Sequence, residues 1–210
     1  MIDFYTASTF NGRRAAIMLE ETGLEYTAHR VDLAKGEQRQ PEFLQLNPSG
    51  RIPVIVDHDS SDSEPFVLTQ SIAILQYLAE KSGQLLPHSL TARARVYEWM
   101  QFHAVDIGST LFNAFYLHRR IKPQQEQAAE QLRQRVHKLY RHFDQQLAEH
   151  EFLAGTHYSI ADIAVLPSVL MMEDKLAEYS NLVRWQQQLK QRPAVQRSML
   201  MLQLENSHEN

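Results

Sequence analysis

Cysteine is absent from this chain of 210 residues. A protein without cysteine forms neither disulfides nor thiolate metal sites, and it has no cysteine nucleophile of its own. Any sulfur chemistry that this protein performs must therefore come from a bound ligand.

The sequence also lacks long apolar runs and any excess of basic residues. None of its apolar runs approaches the ~20 residues that a membrane-spanning helix needs, and the strand-like residues 2–5 follow the first methionine without a signal-peptide pattern. The 21 Lys and Arg are outnumbered by 25 Asp and Glu, and the net charge of -4 leaves no basic field for nucleic acid. These absences predict a cytoplasmic protein that has neither nucleic acid nor a membrane as a partner.

Glycine and proline are few, at 7 and 8 residues, and they become scarce after residue 89. Before that point, short strand-like runs alternate with helical patterns in the order βαβ followed by ββα, which is the order of a thioredoxin-like domain. Beyond it, helical periodicity dominates. The sequence thus predicts an α/β thioredoxin-like domain over residues 1–83 and an all-α domain over residues 89–205.

Two segments of the first domain indicate a site for a peptide-like ligand. Residues 47–55 read Asn-Pro-Ser-Gly-Arg-Ile-Pro-Val-Ile, a turn-forming cluster that leads into a strand. Pro53 cannot donate to a strand ladder, so the backbone of Ile52 is expected to face outward, where a ligand can pair with it. Further on, Gln70 and Ser71 precede an amphipathic helix, and a helix N-terminus favours a carboxylate.

These segments, together with Tyr-Ser-Ile-Ala-Asp at residues 158–162, resemble the motifs of the cytosolic glutathione transferase family, and the similarity extends to about residue 203. The run Thr-Phe-Asn-Gly at residues 9–12 and the loop over residues 35–43 are most similar to the bacterial Nu class, whose members reduce disulfides with glutathione. The resemblance implies a thioredoxin-like domain packed on a helical domain, glutathione as cosubstrate and a homodimer.

The loop after the first strand carries the candidate catalytic residues. A hydrogen bond donated to a sulfur atom lowers the pKa of the thiol because it favours the thiolate. Read as residues alone, Thr9 or Asn11 is more often a helix cap than a ligand of sulfur. Phe10 occupies the place where some transferase classes have a catalytic serine, and the Nu-class resemblance instead implies Thr9 and Asn11.

The resemblance also implies which residues hold the rest of glutathione. Its glycine end is assigned to Gln38 and Arg51, its cysteine backbone to Ile52, and its γ-glutamyl end to Gln70 and Ser71. In some family members an acid from the partner subunit meets the ligand's amino group, which makes Asp106 a further candidate. Read alone, Gln38 would be solvated surface, and Arg51 is as compatible with an exposed loop as with carboxylate binding. The candidate glutathione-binding residues are Gln38, Arg51, Ile52, Gln70, Ser71 and Asp106.

Two other motifs have structural interpretations. The acidic residues 57–64 lack the glycine and the terminal glutamate of a calcium loop, so we interpret them as a solvated hairpin connection and predict no metal site. Ser159 and Asp162 stand three residues apart before an apolar run, which is a variant of the capping box. They are expected to stabilise a helix start and to have no catalytic role.

Three functions fit the sequence. The first is glutathione-dependent disulfide reduction. The second is conjugation of glutathione to an electrophile, with Phe112, Phe115 and Tyr116 as an aromatic pocket, although these residues are as easily core. The third is a non-catalytic role, as in the starvation-response proteins that bind RNA polymerase through this fold. Gln131 stands where Nu-class relatives tend to have an arginine, which would change how a second glutathione is held.

Overall fold

The computed structural model describes residues 1–60, 64–172 and 175–204. They form two compact units, one of residues Met1–Leu86 with the described residues from Leu189 onward, the other of residues Pro87–Gln188. The strands are β1 Ile2–Thr6, β2 Tyr26–Arg30, β3 Val54–Asp57 and β4 Phe66–Thr69. The helices are α1 Phe10–Thr22, α2 Pro41–Leu46, α3 Ser71–Ser82, α4 Leu90–Gln101, α5 Ser109–Arg119, α6 Glu126–Glu149, α7 Ile160–Leu170, α8 Ser180–Lys190 and α9 Pro193–Leu204, with a 3₁₀ turn at Glu37–Arg39 and a π-helix at Phe102–Gly108.

The first unit is built on a four-stranded mixed sheet in the order β2-β1-β3-β4. Strand β1 runs parallel to β2 and antiparallel to β3, and Phe4 lies opposite both Ala28 and Ile55. Alternate residues of β1 are buried, whereas every residue of β3 is buried. This arrangement, with α1 and α3 packed together, confirms the predicted thioredoxin-like fold.

Helix α9 completes the first unit by packing against α1. Arg192 makes a two-point ion pair with Glu21, with nitrogen–oxygen distances of 2.6 and 2.8 Å. Arg197 pairs with Glu20 at 2.6 Å. The last described helix therefore belongs to the same compact unit as the N-terminal strands, while the sequence-based boundaries at residues 83 and 89 remain predictions.

The end of strand β3 corrects the interpretation of residues 57–64. Asp57 is fully buried, and its Oδ2 accepts hydrogen bonds from the Tyr77 hydroxyl at 2.6 Å and from Lys81 Nζ at 2.9 Å. Burial alone raises the pKa of this carboxyl, but the hydrogen bonds from Tyr77 and Lys81 outweigh burial and hold the pKa below its usual value. The prediction of a solvated connection is wrong at Asp57, which ties β3 to α3, and residues 61–63 lie outside the described residues.

The second unit is helical, as predicted, and α7 is its most buried element. Ser159 and Asp162 form the predicted capping box: the Asp162 carboxylate accepts from the Ser159 backbone N–H at 3.0 Å, while the Ser159 hydroxyl accepts from the first turn of α7. The same carboxylate accepts from the Leu153 backbone at 3.0 Å and from the Trp185 indole at 2.9 Å. Complete burial raises the pKa of Asp162 to about 6, although these hydrogen bonds act in the opposite direction.

Within the described residues, no helix combines the length and the apolar character needed to cross a membrane.

Candidate functional site

The loop between β1 and α1 places Thr9 at the helix N-cap. Its backbone is extended, with φ -120° and ψ 162°, and its Oγ1 accepts a hydrogen bond from the Gly12 N–H at 3.1 Å. The capping interpretation of Thr9 is therefore confirmed. Capping uses a lone pair of the hydroxyl oxygen, whereas a thiolate would need the hydroxyl proton, so one side chain can do both.

Gly12 explains how closely this loop approaches the helix. A side-chain Cβ at this position would overlap the Ala7 carbonyl oxygen and lie 2.5 Å from Thr6 Oγ1. Only glycine lets the first turn of α1 pack directly on the backbone that follows β1. This packing determines where Thr9 and Asn11 stand relative to the end of the sheet.

Asn11 lies in the first turn of α1 and is joined to the start of α3 by Arg14. The Asn11 Oδ1 accepts from Arg14 Nη1 at 2.5 Å, and the same nitrogen donates to Ser71 Oγ at 3.2 Å. The Ser71 hydroxyl also points to Asn11 Oδ1, at 3.4 Å. The fold thus brings together two predicted site residues that are 60 positions apart, through an arginine that is only 4% exposed.

Helix α3 begins at Ser71, and Gln70 is its N-cap residue. Gln70 has φ 70° and ψ 109°, a backbone conformation that residues other than glycine rarely adopt, and its side chain makes no capping hydrogen bond. Strained residues of this kind are concentrated at ligand sites. The N–H groups of the first turn of α3 are suited to a carboxylate, because the helix dipole has its positive end there.

The loop before β3 is organised by Asn47, which is 5% exposed. Its Oδ1 accepts from the Ser49 backbone at 3.0 Å and from the Ser49 hydroxyl at 2.8 Å, and its Nδ2 donates to the Arg51 carbonyl at 2.6 Å. The Ile52–Pro53 peptide that follows is cis. Asn47 therefore holds the backbone on both sides of the turn and positions Arg51 and Ile52.

The side chain of Ile52 packs against the buried cluster of Val31, Phe43 and Val54. Tyr5 packs on the same cluster and stacks on His29, with ring centroids 4.7 Å apart. Anchoring the Ile52 side chain in this way leaves its backbone as the part that can pair with a ligand.

Gln38 lies in the 3₁₀ turn beside this loop. A Cβ at Gly50 would stand 3.0 Å from the Gln38 carbonyl oxygen, which shows how closely the two loops approach. The Gln38 side-chain Oε1 is buried and has no hydrogen-bond partner in the described part of the chain. Because buried polar atoms are almost always paired, this oxygen is suited to accept a donor from a ligand.

Asp106 and the aromatic candidates belong to the second unit. Asp106 is half-buried in the π-helix, where its carbonyl oxygen accepts from Thr110 Oγ1 at 2.6 Å. Phe112, Phe115 and Tyr116 are 44, 48 and 47% exposed, so the interpretation of these side chains as core is wrong. Gln131 is exposed on α6.

Sequence reasoning missed two residues that shape the site, Arg14 and Asn47. For Arg14 the available signal was an arginine that directly precedes the apolar run of α1, where a charge must find partners. For Asn47 it was the Asn-Pro-Ser-Gly sequence, in which an asparagine side chain commonly closes the turn. Neither signal indicates which distant side chain is the partner.

Comparison with known families agrees with this fold. The model of the glutathione S-transferase N-terminal domain matches residues 11–81, and that of the glutathione S-transferase C-terminal domain matches residues 105–193. The chain belongs to the glutathione S-transferase family.

Among individual relatives, the chain is 37% identical to the disulfide-bond oxidoreductase YfcG of Escherichia coli, over 97% of each chain. It is 34% identical to the disulfide-bond oxidoreductase YghU of the same organism, covering 95% of this chain and 74% of that protein. A solved glutathione transferase from Pseudomonas putida, with one glutathione disulfide bound per subunit, is 31% identical and superposes with a TM-score of 0.86, covering 94% of this chain and 90% of the other. A glutathione transferase from Burkholderia graminis, with two glutathione molecules bound per subunit, is 33% identical with a TM-score of 0.84, covering 94% and 86%.

Proposed function

We propose that this protein reduces disulfides with glutathione. The observation that carries the proposal is the orientation of the Asn11 amide. The Asn11 amide oxygen accepts hydrogen bonds from Arg14 and Ser71. The amide nitrogen, which is a donor, therefore faces away from these two side chains. Together with the Thr9 hydroxyl, it supplies two donors at the start of α1 for a glutathione thiolate. Similarity to two proteins named disulfide-bond oxidoreductases supports this choice over conjugation.

Glutathione would lie along the first unit. Its γ-glutamyl carboxylate would bind the Ser71 hydroxyl and the N–H groups of the first turn of α3, beside Gln70. Its cysteine residue would pair with the backbone of Ile52. At its glycine end, the glycine N–H would donate to Gln38 Oε1 and the carboxylate would meet Arg51. This order places the thiol near the start of α1, because the cysteine is the central residue of the tripeptide.

The site would activate the thiol by stabilising its anion. Hydrogen bonds from Thr9 and Asn11 favour the charged sulfur, and the positive end of the α1 dipole adds to them. Both effects lower the pKa of the bound thiol, so that more of it is thiolate at neutral pH. The protein itself needs no titrating group for this step.

The reaction would consist of two thiol–disulfide exchanges. The bound glutathione thiolate attacks one sulfur of the substrate disulfide, a new sulfur–sulfur bond forms, and the other substrate sulfur leaves with the electron pair as a thiolate. A second glutathione thiolate then attacks the mixed disulfide and releases the remaining substrate thiol. Two glutathione molecules are oxidised to glutathione disulfide, and the substrate disulfide is reduced to two thiols. Both reducing equivalents come from glutathione because the chain has no cysteine.

We further propose that the protein is a cytoplasmic homodimer whose partners are glutathione and a small disulfide, with neither nucleic acid nor a membrane as a partner. In this assembly Asp106 of one protomer would meet the amino group of glutathione bound to the other. Asp106→Asn should then raise the KM for glutathione and leave kcat nearly unchanged, because the contact is remote from the sulfur.

The test of this function compares variants at the two donors with variants at their neighbours. Thr9→Ala and Asn11→Ala should both slow reduction of a small model disulfide, one of them severely, since a hydrogen bond to a charged group contributes about 1.5–3 kcal/mol. Glutathione affinity, measured by calorimetry, should change much less. Ser8→Ala and Tyr5→Phe are the matched controls and should do little, because Ser8 is exposed and Tyr5 packs on the sheet.

Conjugation to an electrophile is the second candidate, and the exposure of Phe112, Phe115 and Tyr116 favours it, because an apolar surface could receive an aromatic substrate. Turnover of a chloro-nitroaromatic electrophile should be much weaker than turnover of the disulfide. If the electrophile is the better substrate, or if Ser8→Ala alone abolishes activity, the disulfide-reductase assignment is wrong. Absence of glutathione binding at millimolar concentration would favour a non-catalytic protein.

A further inference from the structure

We infer that Arg14 is a positioning residue, which holds the Asn11 amide with its nitrogen toward the glutathione sulfur and keeps it there when the ligand occupies Ser71. This inference rests on the proposed function, because it concerns how the proposed sulfur donor is oriented. Arg14 itself is not proposed to touch the ligand.

The chemistry of the Arg14–Asn11 contact determines which atom of the Asn11 amide faces Arg14. A guanidinium has only donors, so the Asn11 atom 2.5 Å from Arg14 Nη1 must be the amide oxygen. Since the oxygen and the nitrogen leave the amide carbon in different directions, the nitrogen then does not face Arg14. An arginine at this place therefore selects one of the two orientations of the Asn11 amide, and it selects the one that offers N–H groups.

Arg14 is itself held in place. Its side chain is 4% exposed, and its guanidinium carbon lies 5.2 Å from the centre of the Phe10 ring. Asn11 and Arg14 are three residues apart on α1, which places both side chains on one face of the helix. A buried planar group with contacts on two sides has little freedom to turn, so it is a firm support for the Asn11 oxygen.

A carboxylate bound at the start of α3 would change the hydrogen bonds of Ser71. In the structure the Ser71 hydroxyl lies 3.4 Å from Asn11 Oδ1 and accepts from Arg14 Nη1 at 3.2 Å. A carboxylate at the start of α3 would accept a hydrogen bond from the Ser71 hydroxyl. The Asn11 oxygen would then lose Ser71 as its second donor. The contact with Arg14 would remain, because Nη1 has two hydrogens and one is enough for Asn11. Arg14 thus keeps the sulfur donor oriented in the ligand-bound state.

The experiment measures the pKa of the bound glutathione thiol, from the ultraviolet absorbance of the thiolate as a function of pH. Arg14→Met should raise this pKa by about one unit, so at a pH below both pKa values the thiolate fraction and the rate of disulfide reduction fall roughly tenfold. Arg14→Lys should give an intermediate value, because one ammonium group cannot reproduce the planar fork of arginine. Arg13→Met is the control at the adjacent, half-buried arginine and should leave the pKa unchanged.

A second set of variants separates positioning from a direct effect of the Arg14 charge. In the Asn11→Ala background there is no amide to orient, so adding Arg14→Met should produce no further rise in the thiol pKa. Equal rises with and without Asn11 would overturn the inference, since Arg14 would then act on sulfur through its charge alone. Should Arg14→Met not fold, Arg14→Lys carries the test, and an unchanged thiol pKa in that variant would also overturn it.

The outcome for the wild type distinguishes this inference from the proposed function. A bound thiol with its ordinary solution pKa, or with a pKa that Asn11→Ala leaves unaltered, would refute thiol activation by Asn11 itself. A lowered wild-type pKa that depends on Asn11 but not on Arg14 would leave the proposed function standing and refute only the positioning role.

Discussion

Replacing Asp162 with alanine is expected to lower the free energy of unfolding by about 3 kcal/mol at neutral pH. Three buried N–H groups lose their acceptor in this variant: the backbone N–H groups of Leu153 and Ser159 and the indole N–H of Trp185. The Ser159 hydroxyl, which also donates to this carboxylate at 3.2 Å, can turn to another acceptor. An unsatisfied buried donor costs at least about 1 kcal/mol, and the sum over three is about 3 kcal/mol. Asp162→Asn should cost less, because one acceptor oxygen and most of the side-chain volume remain.

The destabilisation caused by Asp162→Ala should depend on pH. The pKa of Asp162 is raised to about 6 in the folded protein, from an ordinary value of 3.8. Between these values the folded protein binds a proton that the unfolded chain has released, so this group favours folding more as the pH falls. Its contribution is fully present below pH 3.8 and is lost as the pH rises through about 6. The difference between wild type and Asp162→Ala should therefore be larger at pH values near the lower bound than at neutral pH, and the difference between wild type and Asp162→Asn should change with pH in the same way, because neither variant carries the titrating carboxyl.

Urea unfolding followed by far-ultraviolet circular dichroism, at neutral pH and at the acidic end of this window, measures both effects. Glu151→Ala is the control, since Glu151 is exposed and accepts a single hydrogen bond from Gln188 at 2.8 Å. That variant should stay within about 0.5 kcal/mol of wild type. If Asp162→Ala were as stable as Glu151→Ala, or if its deficit did not grow on acidification, the account of the buried carboxylate would be refuted.

Two further predictions concern the first unit. Gly12→Ala should lower both stability and disulfide reduction, because a Cβ at this position overlaps the Ala7 carbonyl oxygen and forces α1 away from the loop that carries Thr9. The melting temperature and the activity of the purified variant test this prediction, and wild-type values for both would contradict it. Lys81→Met should cost about 3 kcal/mol at neutral pH, because it leaves the Asp57 carboxylate buried without its charged partner. The pKa of Asp57 is held below its ordinary value of 3.8, so the stability that this ion pair contributes is present above pH 3.8 and is lost as the pH falls through the lower folded-state pKa. The stability lost in Lys81→Met should therefore shrink in strong acid. Urea titrations in which this loss grew on acidification would be inconsistent with the pairing.

The sequence by itself determined the features that depend on neighbours along the chain. The Ser159 and Asp162 capping box could be read directly, because its two hydrogen bonds join residues at most three positions apart. The cap at Thr9 is equally local. Strand alternation and helical period depend on short repeats as well, and they sufficed to predict the thioredoxin-like and helical regions.

The family motifs extended this reading to candidate site residues, but not to the contacts that orient them. Nothing in the residues around Asn11 indicates that Ser71 lies beside it, or that Arg14 holds both. The exposure of Phe112 could not be predicted either, since an aromatic residue at helical spacing fits a core as well as a surface.

Only the tertiary structure decided these points, as it decided that Asp57 is buried against Lys81 and that α9 packs on α1. Each depends on the phase of a helix or the register of a sheet relative to an element far away in the chain. A change of one residue in register or of a fraction of a turn in helix phase moves a side chain to another face without altering the local pattern. Local sequence therefore determines which elements form, whereas the packing of those elements determines which side chains meet at the site.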